Sequence, residues 1–315
     1  MAVTLRDIAK SLNLSHATVS FVLNERRDVA IPDTTRQRVF SRAQEMGYRP
    51  NRAARALVMG RTQMIALASP GVNRQPYGEL FERFVAAARL SGYETLLMSL
   101  GSSIDWAVDA VLQIDAPRDL ARAEGLPTLR LDLTGMDPEA DVRFDAVDAA
   151  RTATEHLLKQ GAKRVGLLAS AQAHGAPNGA SVGYGEVMES SGGRKLTYSA
   201  AEDHPVAFVE ALARALRSDD APDGIVAVGT SAAIGAIRAL ADAGLSVPKD
   251  CRLIAVDGDS ALSCLVPSVS AVVAPLADLA IDAAETLFLT LRPNPAGMIG
   301  PRVRTGTLVV RESSQ

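Results

Sequence analysis

Apolar positions in the first sixty residues fall into short helical stripes separated by polar breaks. Leu5, Ile8, Ala9 and Leu12 repeat at the spacing of one helix face, which predicts an amphipathic helix. Thr4 stands just before it and Asp7 three residues on, the pattern of a capping box. Ala9 is small enough to let a second helix cross closely. The stretch LNLS breaks the stripe, and Asn13 tolerates the left-handed backbone of a tight turn. Ser15 then caps a second helix whose buried stripe is Val19, Val22 and Leu23. Two short helices joined in this way form a helix-turn-helix. A third helix is expected in AIPDTTRQRVFSRAQEMG, with Pro32 near its start, apolar Val39, Phe40, Ala43 and Met46 along it, and Gly47 at its C-terminal turn. Pro50 stops the structure before it, Asn51 can cap a short alanine-rich helix through Leu57, and Gly60 ends that helix.

From residue 62 the pattern changes. Short continuous apolar runs, such as MIALASP, ETLLMSL, DAVLQID, TLRLDL, RVGLLAS, GIVAVGT and CRLIAVDG, read as buried strands. Between them YGELFERFVAAARLSG, AVDAARTATEHLLKQG, VAFVEALARALRS and SAAIGAIRALADAG carry helical stripes. Alternation of this kind predicts parallel, doubly wound sheets.

Charge sharpens the division. Residues 1–60 hold 10 Lys/Arg against 5 Asp/Glu, a net of +5, whereas the remaining 255 hold 23 against 31, a net of -8. A basic head on an acidic body is the asymmetry expected when only the head meets a polyanion; a solvated charged surface is the other reading. The second helix adds chemistry to that head. Its exposed face carries His16, Ala17, Thr18 and Phe21, with almost no charge. At 315 residues and 47% hydrophobic, the chain can bury a large core. Two cysteines, Cys251 and Cys264, with no CxxC, argue against a structural zinc or a disulfide framework and for a reducing compartment. The opening MAVTLRDIAK lacks the apolar run of a signal peptide, and no 18-residue apolar run suggests a membrane span. A cytoplasmic protein is expected.

Two stretches, VTLRDIAKSLNLSHATVSFVLN and TRQRVFSRAQEMGYRPNRAARAL, closely resemble the DNA-binding head and hinge of the lactose-repressor (LacI) family of transcription regulators. The resemblance implies a head over 1–49, a hinge helix over 50–61 and an effector-binding, dimerising core over 62–315. It places the second helix in the major groove, with base reading at His16, Ala17 and Phe21 and with Ser20 on the same face. Ala and Phe can meet thymine methyls, and His16 can bond a base or a phosphate; Phe21 could instead pack against the neighbouring helix. Phosphate contacts are expected from Thr4, Ser15, Thr18, Asn24, Arg26, Arg27, Tyr48 and Asn51, with Leu5 and Arg6 beside them. In the hinge, Leu57 would wedge into the minor groove while Ala54 and its small neighbours let two hinges pack. A plain interdomain linker is the other reading of that segment.

FDAVDAARTATEHLLKQGAKRVGLL and LADAGLSVPKDCRLIAVDGDSALSCLVPSVSAV are also family-like. They imply a periplasmic-binding-protein-like core of two doubly wound parallel-sheet subdomains, breaking near 145–165, with a small effector in the cleft between them. Asp257 and Asp145 fall at cleft positions, as do Ala180, Tyr184 and Thr230. The departures are specific. Ala180 stands where many sugar-binding members carry an arginine, before Gly183-Tyr184, and Gly229-Thr230 replaces a common Asn-Asp. The segment 101–110 is too short for the helix usual there. A sugar held in the usual way is therefore not expected.

Catalysis finds no support in the sequence. VGTSAAIG puts Ser231 at a strand-to-helix turn, but no histidine follows it, the last being His204. No P-loop, dinucleotide fingerprint or metal-ligand spacing appears, so no cofactor or metal is expected. His156 reads as structural. Asp257 and Asp259 could be an acid pair but fit binding or capping better. The expectation is a homodimeric, sequence-specific DNA-binding regulator, a repressor on a pseudo-palindromic operator, with DNA affinity set by a small effector. The competing expectation is a small-molecule-binding protein with a vestigial head. No leucine-heptad tail follows GTLVVRESSQ, so a tail-mediated tetramer is not expected.

Overall fold

The computed structural model describes residues 3–24, 26, 28–48, 56, 59–71, 76–100, 108–117, 125–171, 178–218, 220–258, 260–292 and 300–315. The chain separates into two compact units, residues 1–62 and 63–315.

The first unit is helical. α1 (Leu5–Leu12) begins with the expected box: the Thr4 hydroxyl accepts from the Asp7 N–H at 3.4 Å, and the Asp7 carboxylate accepts from the Thr4 N–H at 2.9 Å. Asn13 ends it in the left-handed conformation at φ 54°. α2 (His16–Leu23) is capped by the Ser15 hydroxyl, which accepts from the Thr18 N–H at 3.0 Å. α3 (Asp33–Glu45) follows Pro32, and Gly47 takes φ 66° beyond its end. The three helices enclose a small core of Ile8, Ala9, Val19, Val22, Val39 and Ala43, flanked by Leu5, Leu12, Leu23 and Met46. Phe40 does not join it. Phe40 is 44% exposed, and Val39 and Ala43 supply the buried side of α3. Most of the expected hinge helix, including Asn51, Ala54 and Leu57, lies outside the described residues, as do Arg27, Asp259 and residues 101–107.

The described residues of the second unit form two six-stranded sheets, ordered β11-β5-β4-β3-β1-β2 and β12-β10-β9-β8-β6-β7. In the first, β1 (Met64–Ser69), β2 (Glu94–Ser99), β3 (Ala110–Ile114), β4 (Thr128–Asp132), β5 (Val142–Phe144) and β11 (Arg302–Arg304) are all parallel. In the second, β6 (Val165–Ser170), β7 (Leu196–Ala200), β8 (Gly224–Val228), β9 (Arg252–Val256) and β10 (Ser270–Val273) are parallel, with β12 (Thr307–Val309) antiparallel at the edge. The first sheet is backed by α4 (Tyr77–Leu90) and α9 (Leu276–Thr290). The second is backed by α5 (Ala146–Lys159) and α6 (Gly179–Ser190) and by α7 (Pro205–Ala213) and α8 (Thr230–Asp242).

Among the described residues the chain crosses between the halves three times: at Asp145, between β10 and α9, and between β11 and β12. A single break near 145–165 therefore captures only the first crossing. β5, β11 and β12 are three residues each, too short for a periodic signal. α9 carries an evident apolar stripe, Leu276, Leu279, Ala280, Ala283 and Leu287, yet was absent from the elements expected from the pattern.

One continuous apolar cluster links the halves, from Ile65, Leu112 and Phe144 through Ala149 and Leu157 to Val226 and Ile254. α5 and α6 pack backbone to backbone at Gly183, where a Cβ would lie 2.0 Å from the Val147 carbonyl oxygen. The C-terminus is tied into the second sheet. The Ser313 hydroxyl donates to the Leu253 carbonyl at 2.6 Å, and Ser314 Oγ lies 2.8 Å from His156 Nε2. Burial lowers the His156 pKa, which fits a neutral, structural imidazole.

Candidate nucleic-acid interface and ligand site

The head presents α2 as a fixed platform. Capping at Ser15 and burial of Val19 and Val22 set its rotation, leaving His16 and Ala17 exposed and Thr18, Ser20 and Phe21 half-buried. Four of the polar side chains expected to meet phosphate have partners in the free head. The Thr4 hydroxyl donates to Asp7 at 2.7 Å, Ser15 and Thr18 share a hydrogen bond of 2.8 Å, and Asn24 Nδ2 donates to Ser20 Oγ at 3.2 Å. Each hydroxyl keeps further hydrogen-bonding capacity. Tyr48 packs beside the head core, and burial raises its pKa. Arg6 is exposed at the start of α1 and Leu5 is half-buried beside the core. Arg26, expected on phosphate, lies over the Phe21 ring with its guanidinium carbon 5.7 Å from the centroid. Its carboxylate partner Asp28 was not expected, although the spacing Arg-x-Asp follows directly on α2 in the sequence.

In the core, the expected ligand positions gather at the carboxyl ends of parallel strands, where such sheets bind ligands. Thr230 opens α8 just after β8, and Asp257 follows β9 with φ 57°. These strands are neighbours in register, Val228 opposite Val256, and the Gly229 N–H donates to the Val256 carbonyl at 2.8 Å. Asp145 follows β5 and caps α5, accepting from the Asp148 N–H at 2.9 Å. Ala180 is buried in the first turn of α6.

Tyr184 departs from its expected role. It is buried, and its hydroxyl accepts from the Leu196 N–H at 2.7 Å while facing the Val165 and Leu196 carbonyl oxygens at 2.9 and 3.1 Å. Those contacts pin α6 to β6 and β7 and commit the hydroxyl's proton to the backbone.

Two carboxylates that the sequence reading did not single out meet at this end of the first sheet. Asp132 closes β4 and accepts from the Thr134 and Gly135 N–H groups at 3.0 and 3.1 Å and from the Asp137 N–H at 2.9 Å. Asp115, just past β3, accepts from the Tyr77 hydroxyl at 2.8 Å and the Leu133 N–H at 2.7 Å. Enclosure of its carboxyl, and then the charge of Asp132 beside it, hold the Asp115 pKa well above the usual carboxylate range. The turn that Asp132 organises touches the other half directly: the Gly179 N–H donates to the Thr134 carbonyl at 3.0 Å. Gly135, at φ 73°, sits so close that a Cβ would lie 2.8 Å from Gly179 Cα. A signal was present, since LQID and LRLD each put an aspartate at or just past the end of a strand.

Comparison with known proteins matches both units. The model of the lacI family of bacterial regulatory proteins covers residues 4–51, and the periplasmic binding protein-like domain covers residues 154–314, over half the chain. The chain belongs to the lacI family of transcriptional regulators. It is a DNA-binding regulator with a periplasmic-binding-protein-like core. It is similar over its length to catabolite control protein A of Staphylococcus xylosus, at 26% identity over 96% of each chain. It is similar also to the ribose operon repressor of Halalkalibacterium halodurans, at 27% identity over 99% of this chain and 97% of that one. The fold matches the lac repressor dimer bound to operator and the anti-inducer ONPF, with a TM-score of 0.85, 20% identity and coverage of 100% and 99%. No described helix is long and apolar enough to cross a membrane.

Proposed function

We propose that this regulator acts as a homodimeric repressor on a pseudo-palindromic operator, and that its head, spanning 1–49 with a hinge over 50–61, reads that operator through the exposed face of α2. The observation that carries the reading is this face: a helix fixed by a cap and two buried valines turns His16, Ala17, Ser20 and Phe21 outward on a basic head. Recognition helices enter the major groove with such residues on base edges. Thr4, Leu5, Arg6, Ser15, Thr18, Asn24, Arg27, Tyr48 and Asn51 would set register on phosphates, and Ala54 and Leu57 would pack and wedge at the operator centre. The lac repressor crystallised as a dimer on operator DNA supports the dimer and its partner. A regulator that meets DNA in this way would work in the cytoplasm. The family consists of regulators, and the chain works as one rather than as an enzyme.

In the core, a small effector between the halves would bias DNA affinity by binding one arrangement better than the other. Thr230, Asp257, Asp145 and the turn at Thr134–Gly135 would line its site. With Ala180 in place of an arginine, the ligand is not a sugar clamped by a guanidinium.

Selection of bound duplexes from a random pool by the full-length protein, at about 150 mM salt so that non-specific binding is damped, tests this reading. An enriched pseudo-palindrome is expected; recovery of unenriched sequence would overturn it and favour a ligand-binding protein with a vestigial head.

A further inference from the structure

We propose that Arg26 reads a guanine in each half-site, and that Asp28 is the residue that positions it, with Phe21 as the platform beneath. The inference rests on the head reading operator DNA. Arg26 Nε donates to Asp28 Oδ1 at 2.7 Å and Nη2 to Oδ2 at 2.5 Å, a side-on, bidentate clamp. A guanidinium has five N–H donors in a rigid plane. The clamp uses the Nε edge and leaves the Nη1–Nη2 end edge, where among the described residues nothing accepts from it. That edge is the fork that pairs with guanine O6 and N7 in the major groove. The plane is held over Phe21, whose ring centroid lies 5.7 Å from the guanidinium carbon, within cation–π range. Phe21 follows Ala17 by one helical turn, so the cation extends the α2 reading face.

The backbone beneath Arg26 is also fixed. The Arg26 N–H donates to the Phe21 carbonyl at 2.9 Å. From α3, Arg36 Nη2 donates to the Arg26 and Val29 carbonyls at 2.8 and 3.1 Å, and Arg36 Nε to the Ile31 carbonyl at 3.3 Å. The Arg26 guanidinium is therefore held in one orientation. Asp28 is otherwise hard to place. It is an exposed carboxylate on a face that meets a polyanion, and as a bare charge it opposes binding. Orientation is what it contributes, because a free arginine loses rotamer freedom on docking and a clamped one has already lost it.

The test uses full-length wild type, Asp28→Ala and Arg26→Lys. Each is put through selection from a random duplex pool and then titrated on the wild-type-selected duplex and a scrambled one. All three should melt at the same temperature, since both side chains are exposed. The wild-type motif should contain a guanine in each half-site. Asp28→Ala, with one negative charge fewer, should bind scrambled duplex more tightly yet lose about 10-fold in preference at that guanine. Arg26→Lys, equal in charge, should lose the same preference while scrambled binding stays. Three results would overturn the proposal: a wild-type motif without guanine, variants whose motif is unchanged, or specific and scrambled affinities moving by one common factor. A wild type that enriches no motif would refute the operator reading itself, and this proposal with it.

Discussion

The head and the core build their chemistry in opposite ways. In the head, each feature is local: the cap of α1 spans Thr4 to Asp7, the cap of α2 spans Ser15 to Thr18, and the reading face lies within one eight-residue helix. In the core, the carboxylate pair joins strand ends whose partners are remote in sequence. Tyr77 and Asp115 are 38 positions apart, and the contact between halves joins Thr134 to Gly179. The difference teaches where a sequence can be read for function. A site made by helix spacing declares itself, whereas a site made by topology appears only when the strands are ordered.

The contrast also concerns stability. Among the described residues the head rests on six buried side chains, the core on an apolar cluster running through both halves. The largest expected effect therefore comes from the head. Ile8→Ala should cost it about 2–5 kcal/mol, which a core this small cannot absorb. Hydrogen exchange should rise to unprotected rates across residues 3–48 while β6 and β8 keep their protection; protection lost equally in both units would break the division drawn here.

Next in size is Gly183→Ala, which drives a methyl into the Val147 carbonyl and separates α5 from α6. A loss of about 1–3 kcal/mol, seen as a lower core melting temperature with operator-duplex affinity per folded molecule unchanged, is expected. An unchanged melting temperature would show that the helix pair has slack.

The third prediction sharpens the core site and has the opposite sign. Asp115 holds its proton more tightly when folded than when unfolded. The folded state therefore binds more protons, and this group's contribution falls as pH rises from about 4 through the raised folded pKa. Asp115→Asn keeps an acceptor and cannot ionise. It should flatten that decline and raise the melting temperature at pH 7. A parallel decline in both proteins would mean that Asp115 is ionised without cost.

The smallest effect concerns one base pair. Phe21→Ala should cost about 1 kcal/mol of discrimination at one position per half-site, read as a changed selection motif. An unaltered motif would return Phe21 to packing alone.

Legibility followed the same division. Thr4, Asn13, Ser15 and Gly47 each took the conformation or hydrogen bond their residue type demands, so the head's three helices could be drawn from spacing. Phe40 was misjudged because helical periodicity marks a face without saying whether anything covers it. In the core, β1, β3, β6, β8 and β9 announced themselves as continuous apolar runs. β5, β11 and β12 did not, and with them went the three crossings that place α9 under the first sheet. Tyr184 looked like a ligand contact from its place beside Gly183, but the same short α6 that brings Gly183 onto α5 turns the phenol inward to β6 and β7. Asp115 and Asp132 were visible as residues and invisible as a pair, because pairing depends on β3 and β4 being neighbours.

The central claim is that the basic head carries sequence recognition of its own. It is tested most directly by titrating the full-length protein on its selected duplex and on a scrambled duplex of equal length across a salt series. Both affinities should fall steeply and linearly on a log-log plot as counterions are released, with the selected duplex favoured by a factor of about a thousand or more throughout. Equal affinities at every salt concentration would contradict the account.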